Sequence, residues 1–137
     1  MSRIAAPALT AFAFALIFGT AQAEGLDAIQ GAWTTGNSEC ETTFKRTGSE
    51  VAFRDKGSSL LGGVIIRGNR IEGANMSCTA ARVKKSDDGS FSVMMNCASA
   101  IMFDTVSTGF RVIDTNQFER FSPGFPESTF TYNRCKL

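Results

Sequence analysis

Histidine is absent from this 137-residue sequence. Its absence excludes the Ser-His-Asp and Cys-His arrangements, in which a histidine activates a nucleophile. The glycine-rich stretch 57–63 is not followed by the Lys-Ser or Lys-Thr of a phosphate-binding loop. We therefore predict a protein that is not an enzyme and that uses no cofactor.

The carboxylates give no clear acid–base pair. Asp87 and Asp88 lie in a turn signal, whereas Glu39 and Glu41 flank Cys40 on a short predicted strand. Such positions are typical of solvated side chains, and a general acid and base need a shared, partly buried site. An enzyme with a carboxylate site therefore ranks below a binding protein and below a structural envelope protein.

Neither sign of charge dominates the composition. The chain has 14 Lys plus Arg and 13 Asp plus Glu. A nearly neutral domain lacks the long-range attraction that nucleic acids and anionic membranes exert on basic proteins. We expect no nucleic-acid partner.

Residues 1–23 have the organisation of a cleavable secretory signal peptide. Arg3 supplies a positive charge, the apolar run 4–19 follows, and small residues at Ala21 and Ala23 match a signal-peptidase site. The run is shorter than the roughly twenty residues of a membrane-spanning helix. We predict cleavage after Ala23, a periplasmic or secreted domain over residues 24–137, and no integral membrane segment after signal removal. An uncleaved anchor is the alternative.

Four cysteines follow the signal: Cys40, Cys78, Cys97 and Cys135. An even number in a short exported chain indicates two disulfides. No two of them form a C-x-x-C knuckle, and there is no histidine, so we expect no zinc site.

Strand geometry favours one pairing of these cysteines. The segments on either side of the turn at residues 86–90 have the composition of a hairpin, which places Cys78 opposite or diagonal to Cys97 on one face. The second bond would then join Cys40 to Cys135. The pairing of Cys40 with Cys78 and of Cys97 with Cys135 remains open.

Short segments rich in Val, Ile, Thr and Phe recur after residue 30, separated by Gly, Asn, Asp and Pro. No window there has a helical apolar stripe over three turns. We predict a single all-β domain, an antiparallel meander β-barrel of eight to ten short strands, with a β-sandwich as the alternative. Nine of the phenylalanines lie in this domain, and we expect them to fill the barrel interior.

Gly31-Ala32-Trp33 resembles the G-x-W that opens the first strand of lipocalins, avidins and bacterial metalloprotease inhibitors. The resemblance implies a small meander barrel in which Trp33 closes one end and Arg134, from the last strand, packs over it. The wider layout is also similar to small exported bacterial proteins of unknown function. In the inhibitors a segment before this strand enters the protease, and residues 24–30 match its place.

Phe121 and Phe125 belong to a loop in which Pro123 and Pro126 flank the second aromatic. Proline fixes the backbone and lowers the entropy lost when a side chain is presented to a partner. Phe125, with Phe121, is therefore a candidate partner-binding residue, unless Phe125 plugs one end of the barrel.

These observations favour a non-enzymatic exported binding protein. A protein partner ranks first, as for a protease-inhibitor-like or lysozyme-inhibitor-like module, because a filled barrel leaves only loops and ends for binding. A small apolar ligand carried in the barrel, as in lipocalins, is the alternative. An open interior would favour the second.

Overall fold

The computed structural model of the chain describes residues 25–36, 38–55 and 62–137. The predicted signal peptide lies outside these residues, as does most of the glycine-rich stretch 57–63. Within the described part, no helix has both the length and the apolar character needed to cross a membrane.

Ten strands make up most of the described chain. They are β1 (Gly31–Thr35), β2 (Phe44–Thr47), β3 (Glu50–Phe53), β4 (Gly63–Arg67), β5 (Arg70–Glu72), β6 (Ser77–Lys85), β7 (Phe91–Ala98), β8 (Phe103–Asp114), β9 (Gln117–Ser122) and β10 (Phe125–Arg134). Eight of them close into an antiparallel barrel in the order β1-β10-β9-β8-β7-β6-β5-β4, and β2 and β3 form a separate hairpin. The prediction of an all-β meander barrel is confirmed.

Strand β7 shows how the sequence builds the barrel wall. Its buried residues are Phe91, Val93, Met95 and Cys97, whereas the residues between them are more exposed. Because side chains alternate along a strand, these four share the inner face. Alternation in β7 therefore separates the core side from the solvent side.

Aromatic rings fill the barrel around Phe118 of β9. The Phe118 ring lies 4.7 Å from Trp33, edge to face, and 4.9 Å from Tyr132, stacked. Phe110 adds a further contact at 5.8 Å and in turn packs 5.6 Å from Phe91. Offset and edge-to-face pairs at these spacings stabilise a core beyond simple burial.

One end of the barrel, which we call the closed end, is covered by a short 3₁₀ helix, Leu26–Ile29. Leu26 and Ile29 are fully buried against the aromatic layer. The Trp33 indole Nε1 donates a 2.9 Å hydrogen bond to the Ile29 carbonyl oxygen. The helix begins after Gly25, whose φ of 108° favours glycine and where a Cβ would lie 2.9 Å from the Phe91 ring.

The hairpin β2–β3 packs on the outside of the barrel. Phe44 and Phe53, with ring centroids 5.1 Å apart, form a second buried cluster with Ala32 of β1 and Ile65 of β4. This cluster covers the outer face of two barrel strands. It is separate from the barrel interior.

Two disulfides join Cys40 to Cys135 and Cys78 to Cys97. The second links residues that lie directly opposite each other in the β6–β7 ladder. The first joins the segment before the β2–β3 hairpin to the residue after β10. These pairings are the ones that the hairpin geometry favoured.

The predicted strand around Cys40 is wrong. Residues Cys40–Thr43 form one helical turn, α1. The backbone N–H and the hydroxyl of Thr43 both donate to the Glu39 carbonyl oxygen, at 3.1 and 2.7 Å, and the Thr42 hydroxyl donates to the same oxygen at 3.0 Å. Such local hydrogen bonds compete with sheet pairing and override the β-propensity of threonine.

Candidate functional site: the barrel mouth

Three hairpin turns surround the end of the barrel opposite the closed end, and we call this end the mouth. The turns are residues 73–76 between β5 and β6, residues 99–102 between β7 and β8, and residues 123–124 between β9 and β10. The mouth therefore combines turn residues with the inner faces of long strands.

A cavity of about 230 Å³ lies inside the barrel on the mouth side. Two of its wall residues, Met76 and Val106, are 40% and 36% exposed, so the cavity opens to solvent at the mouth. Its wall is formed by aliphatic, aromatic and sulfur-containing side chains, glycines and three polar side chains: Gly63, Val64, Ile71, Gly73, Met76, Cys78, Met95, Cys97, Val106, Thr108, Phe110, Phe118, Arg120 and Tyr132.

The cavity is of a size that admits a small molecule. An apolar protein cavity of about 150 Å³ is enough to bind benzene. Pockets for drug-sized ligands start at about 300 Å³. The space in this barrel is thus suited to a body of one or two rings, or to a short aliphatic chain.

The expectation that phenylalanines fill the barrel is wrong for its mouth half. Of the nine in the domain, Phe91, Phe110 and Phe118 belong to the interior cluster. Phe44 and Phe53 belong to the outer cluster. The others lie on the outer face or at the mouth: Phe103, Phe121, Phe125 and Phe130.

Arg120 is the charged residue of the cavity wall. It lies two residues after the fully buried Phe118 on β9, and strand alternation turns both side chains inward. Its guanidinium carbon lies 5.2 Å from the Phe130 ring centroid and 5.6 Å from the Tyr132 ring centroid. Cation–π contacts at these distances hold the charge over the mouth.

Tyr132 contributes a hydroxyl to the cavity wall. Burial raises the pKa of this phenol above its ordinary value, and the positive charge of Arg120 opposes that effect only in part. The phenol is therefore neutral at physiological pH and keeps its proton. A neutral phenol is both a hydrogen-bond donor and an acceptor.

A more open groove of about 450 Å³ adjoins the cavity. Val106, Thr108 and Arg120 line both. The groove continues between β8 and β10, past Phe125, Phe130 and neighbouring residues to Glu127 and Ser128. Arg120 thus lies at the boundary between the apolar cavity and the more open groove.

The structure separates the two candidate partner-binding aromatics. Phe125 is 66% exposed and lines the groove, so it does not plug the barrel. Phe121 is buried on the outer face, where its ring covers Gly109 and the guanidinium of Arg111 lies 5.1 Å from its centroid. Phe125 is accessible to a partner, and Phe121 is mainly a packing residue.

The other predicted residues divide between the two ends. Trp33 and Arg134 meet at the closed end, away from the cavity. Cys78 and Cys97 form part of the cavity wall. In the part of the chain that the structure describes, no group of three or more His, Cys, Asp or Glu side chains is arranged to hold a metal ion.

Two features of the mouth were not predicted from the sequence. The first is Arg120, and the second is the apolar connection from β7 to β8, where Ile101 of the turn is 93% exposed and Phe103, the first residue of β8, is 76% exposed. The signal for the second feature was the run of three large apolar residues at 101–103. Together these features give the mouth an exposed apolar border and a cationic side chain at the entrance of the cavity.

Comparison with known proteins adds no assignment: no protein-family model matches the chain, and no curated protein or solved structure matches it either.

Proposed function

We propose that this protein is an exported, non-enzymatic binding protein that holds a small, mostly apolar molecule in the mouth-side cavity of its barrel. The observation that carries the proposal is the cavity of about 230 Å³, with largely apolar walls and an opening at the mouth. Largely apolar concave sites with a few polar groups are the usual form of small-molecule sites.

The distribution of packing supports this proposal. The closed half of the barrel is filled by Trp33, Phe118 and their neighbours, and its end is covered by the 3₁₀ helix. The mouth half instead leaves Val64, Met95 and Val106 facing the cavity. A ligand that covered these side chains would remove apolar surface from water, at roughly 25 cal/mol per Å².

The disulfides are compatible with an exported binding protein. The two disulfides are of the kind that persists in oxidising compartments, and the predicted signal peptide would deliver the chain there. We propose a periplasmic or secreted protein in which the disulfides hold the barrel and its outer hairpin in shape. A rigid barrel keeps the cavity preformed, which reduces the entropy lost on binding.

Binding to another protein through the rim is a second candidate function. Ile101, Phe103 and Phe125 are large apolar side chains that stand in solvent at one end of the molecule. Exposed apolar clusters of this kind often mark interaction sites. The sequence also favoured a protein partner, on the basis of residues 121–126, and Ile101 and Phe103 extend that candidate surface.

The test uses 2-naphthalenemethanol, a neutral two-ring probe, with the disulfide-bonded protein. We expect saturable binding by calorimetry and shifts of the Met95 and Val64 methyl resonances. The Val51 methyl groups, in the outer cluster, should not shift. Absence of saturable binding to folded protein would overturn the proposal.

Blocking variants locate the probe. Val106→Trp narrows the mouth and Thr108→Phe fills the cavity, so each should weaken binding at least about tenfold. Thr131→Trp places the same bulk on the exposed outer face of β10 and should leave binding unchanged. Equal affinity for all three folded variants would contradict a site in the cavity. Ile101→Ser and Phe125→Ser, at the rim, should leave binding of the probe unchanged and should weaken only binding to a protein partner.

A further inference from the structure

We infer that the ligand of this cavity is an anionic small molecule, a hydrophobic carboxylate whose charged group binds Arg120 at the mouth and whose apolar body enters the barrel. The inference rests on the proposed small-molecule function and adds the chemical class of the ligand. It follows from the position of Arg120, from the aromatic rings around it and from its lack of a carboxylate partner among the described residues.

Arg120 belongs to barrel strand β9 and to the cavity wall, on the same face of the strand as Phe118, and its side chain reaches solvent at the mouth. Its surroundings are aromatic: Phe118 precedes it on the same face, and Phe130 and Tyr132 lie under its guanidinium. The two ring contacts hold the guanidinium over the mouth and leave its N–H donors for other groups.

Three other arginines of the barrel have carboxylate partners. Arg111 pairs with Glu119 at 3.1 Å and with Asp88 at 3.6 Å. Arg67 and Arg70 share Glu72, at 3.6 and 3.2 Å. These partners lie on outward-facing or turn positions.

Arg120 has no such partner among the residues that the structure describes. No carboxylate belongs to the cavity wall. Glu127 lines the adjoining groove but forms no ion pair with Arg120. An inward cation without a counter-charge, at the entrance of an apolar cavity, is the arrangement that a ligand anion would complete.

Two hydroxyls of the cavity wall add hydrogen-bonding capacity near this charge. Tyr132 lies below the guanidinium, and Thr108 borders both the cavity and the groove. Within the described chain neither side chain hydrogen-bonds to another protein group. The polar groups of the wall can therefore all donate to a carboxylate at the mouth.

The other wall residues restrict the chemistry of the part of the ligand that enters the barrel. Phe110, Phe118 and Met95 line the interior, and Arg120 is the charged residue of the same wall. A cationic or zwitterionic body would lie beside Arg120 or lose its hydration in apolar surroundings. A ring system or short chain bearing one carboxylate satisfies both ends of the site.

Three probes of similar shape test the charge preference. They are 2-naphthoate, neutral 2-naphthalenemethanol and cationic 2-naphthylmethylammonium. For the wild-type protein at neutral pH we expect 2-naphthoate to bind at least about tenfold more tightly than the neutral probe, and the cation more weakly than either.

Variants assign the preference to Arg120. Arg120→Gln should lower the ratio of the affinity for 2-naphthoate to the affinity for the neutral probe to about one, and Arg120→Lys should retain part of the wild-type ratio. Arg82→Gln removes an exposed arginine of β6 and is the matched control, which should behave like the wild type.

Each outcome decides a separate claim. If the neutral probe and 2-naphthoate bind the wild type equally, or if Arg120→Gln keeps the full preference, the inference is wrong and the proposed function stands. If no probe binds the folded wild type, both are wrong. Loss of the preference in Arg120→Gln but not in Arg82→Gln supports the inference.

Discussion

The guanidinium carbon of Arg134 lies 4.1 Å from the centroid of the Trp33 ring. The same side chain donates hydrogen bonds of 2.7 Å to the carbonyl oxygens of Gln30 and Thr115. One residue of the last barrel strand therefore holds the first strand, the segment before it and the β8–β9 turn. This contact fixes the closed end and leaves the mouth as the accessible end of the cavity.

Arg134→Met should destabilise the protein by about 2–4 kcal/mol, because it removes two hydrogen bonds from a charged donor and a cation–π contact. Arg134→Lys should retain part of this stability. Urea unfolding measures both changes, with Arg82→Met as the control for loss of an exposed arginine. A loss no larger than that of the control would mean that Arg134 does not hold the closed end.

The two disulfides should contribute unequally to stability. Cys40 and Cys135 are 95 residues apart in sequence, whereas Cys78 and Cys97 are 19 apart. In the chain-entropy model, removal of the long-range bond costs about 4–5 kcal/mol and removal of the hairpin bond about 3 kcal/mol. Guanidinium unfolding of the two double-alanine variants tests the order. The reverse order would show that burial of the hairpin disulfide outweighs loop entropy.

The sequence allowed the barrel and its hairpin disulfide to be predicted because strand alternation is explicit in β7. The inner residues Phe91, Val93, Met95 and Cys97 alternate with mostly polar or small residues, Met94 excepted, and a turn signal fixes the register with β6. The helical turn at Cys40 could not be predicted in this way, because it depends on threonine hydroxyls that bond to the backbone.

The site was harder to predict because β9 does not show which of its faces is inward. Phe118 and Phe121 lie on opposite faces of the strand, so two aromatics compete for the core. Arg120 shares the face of Phe118, and an inward Phe118 is required to bring that arginine to the mouth. The cavity depends further on three phenylalanines lying in the outer packing, namely Phe44, Phe53 and Phe121.

Gly109 of β8 lies under the Phe121 ring. A Cβ at Gly109 would lie 2.2 Å from the nearest ring carbon, so Gly109→Ala should displace the ring and cost about 1–3 kcal/mol. In a Phe121→Ala background the same substitution meets no ring. It should then stabilise by about 0.5–1 kcal/mol, since alanine loses less backbone entropy than glycine in a strand.

A double-mutant cycle by urea unfolding measures this change of sign. Gly73→Ala is the control, because the nearest atom to its added Cβ is the Met76 carbonyl oxygen at 3.7 Å. Equal effects of Gly109→Ala in both backgrounds would show that Phe121 does not cover this glycine.

Asp88, in the turn between β6 and β7, should titrate below the ordinary range of an aspartate. The hydroxyl and the backbone N–H of Ser90 donate to Asp88 Oδ1, at 2.6 and 3.0 Å, and Arg111 lies beside the carboxylate. These contacts lower the pKa of Asp88 from 3.8, with the Ser90 hydroxyl as the largest cause, against a smaller opposing effect of desolvation.

A lowered pKa in the folded state means that ionised Asp88 stabilises the turn above pH 3.8 and that this stability is lost as the pH falls through the folded pKa. Ser90→Ala should raise the pKa toward 3.8, because the backbone N–H and Arg111 remain but the hydroxyl is gone. Carboxyl-carbon NMR titration of both proteins measures the shift, with Asp87, the preceding residue, as the internal control. An unchanged Asp88 pKa in Ser90→Ala would mean that Arg111, and not the serine hydroxyl, holds the carboxylate ionised.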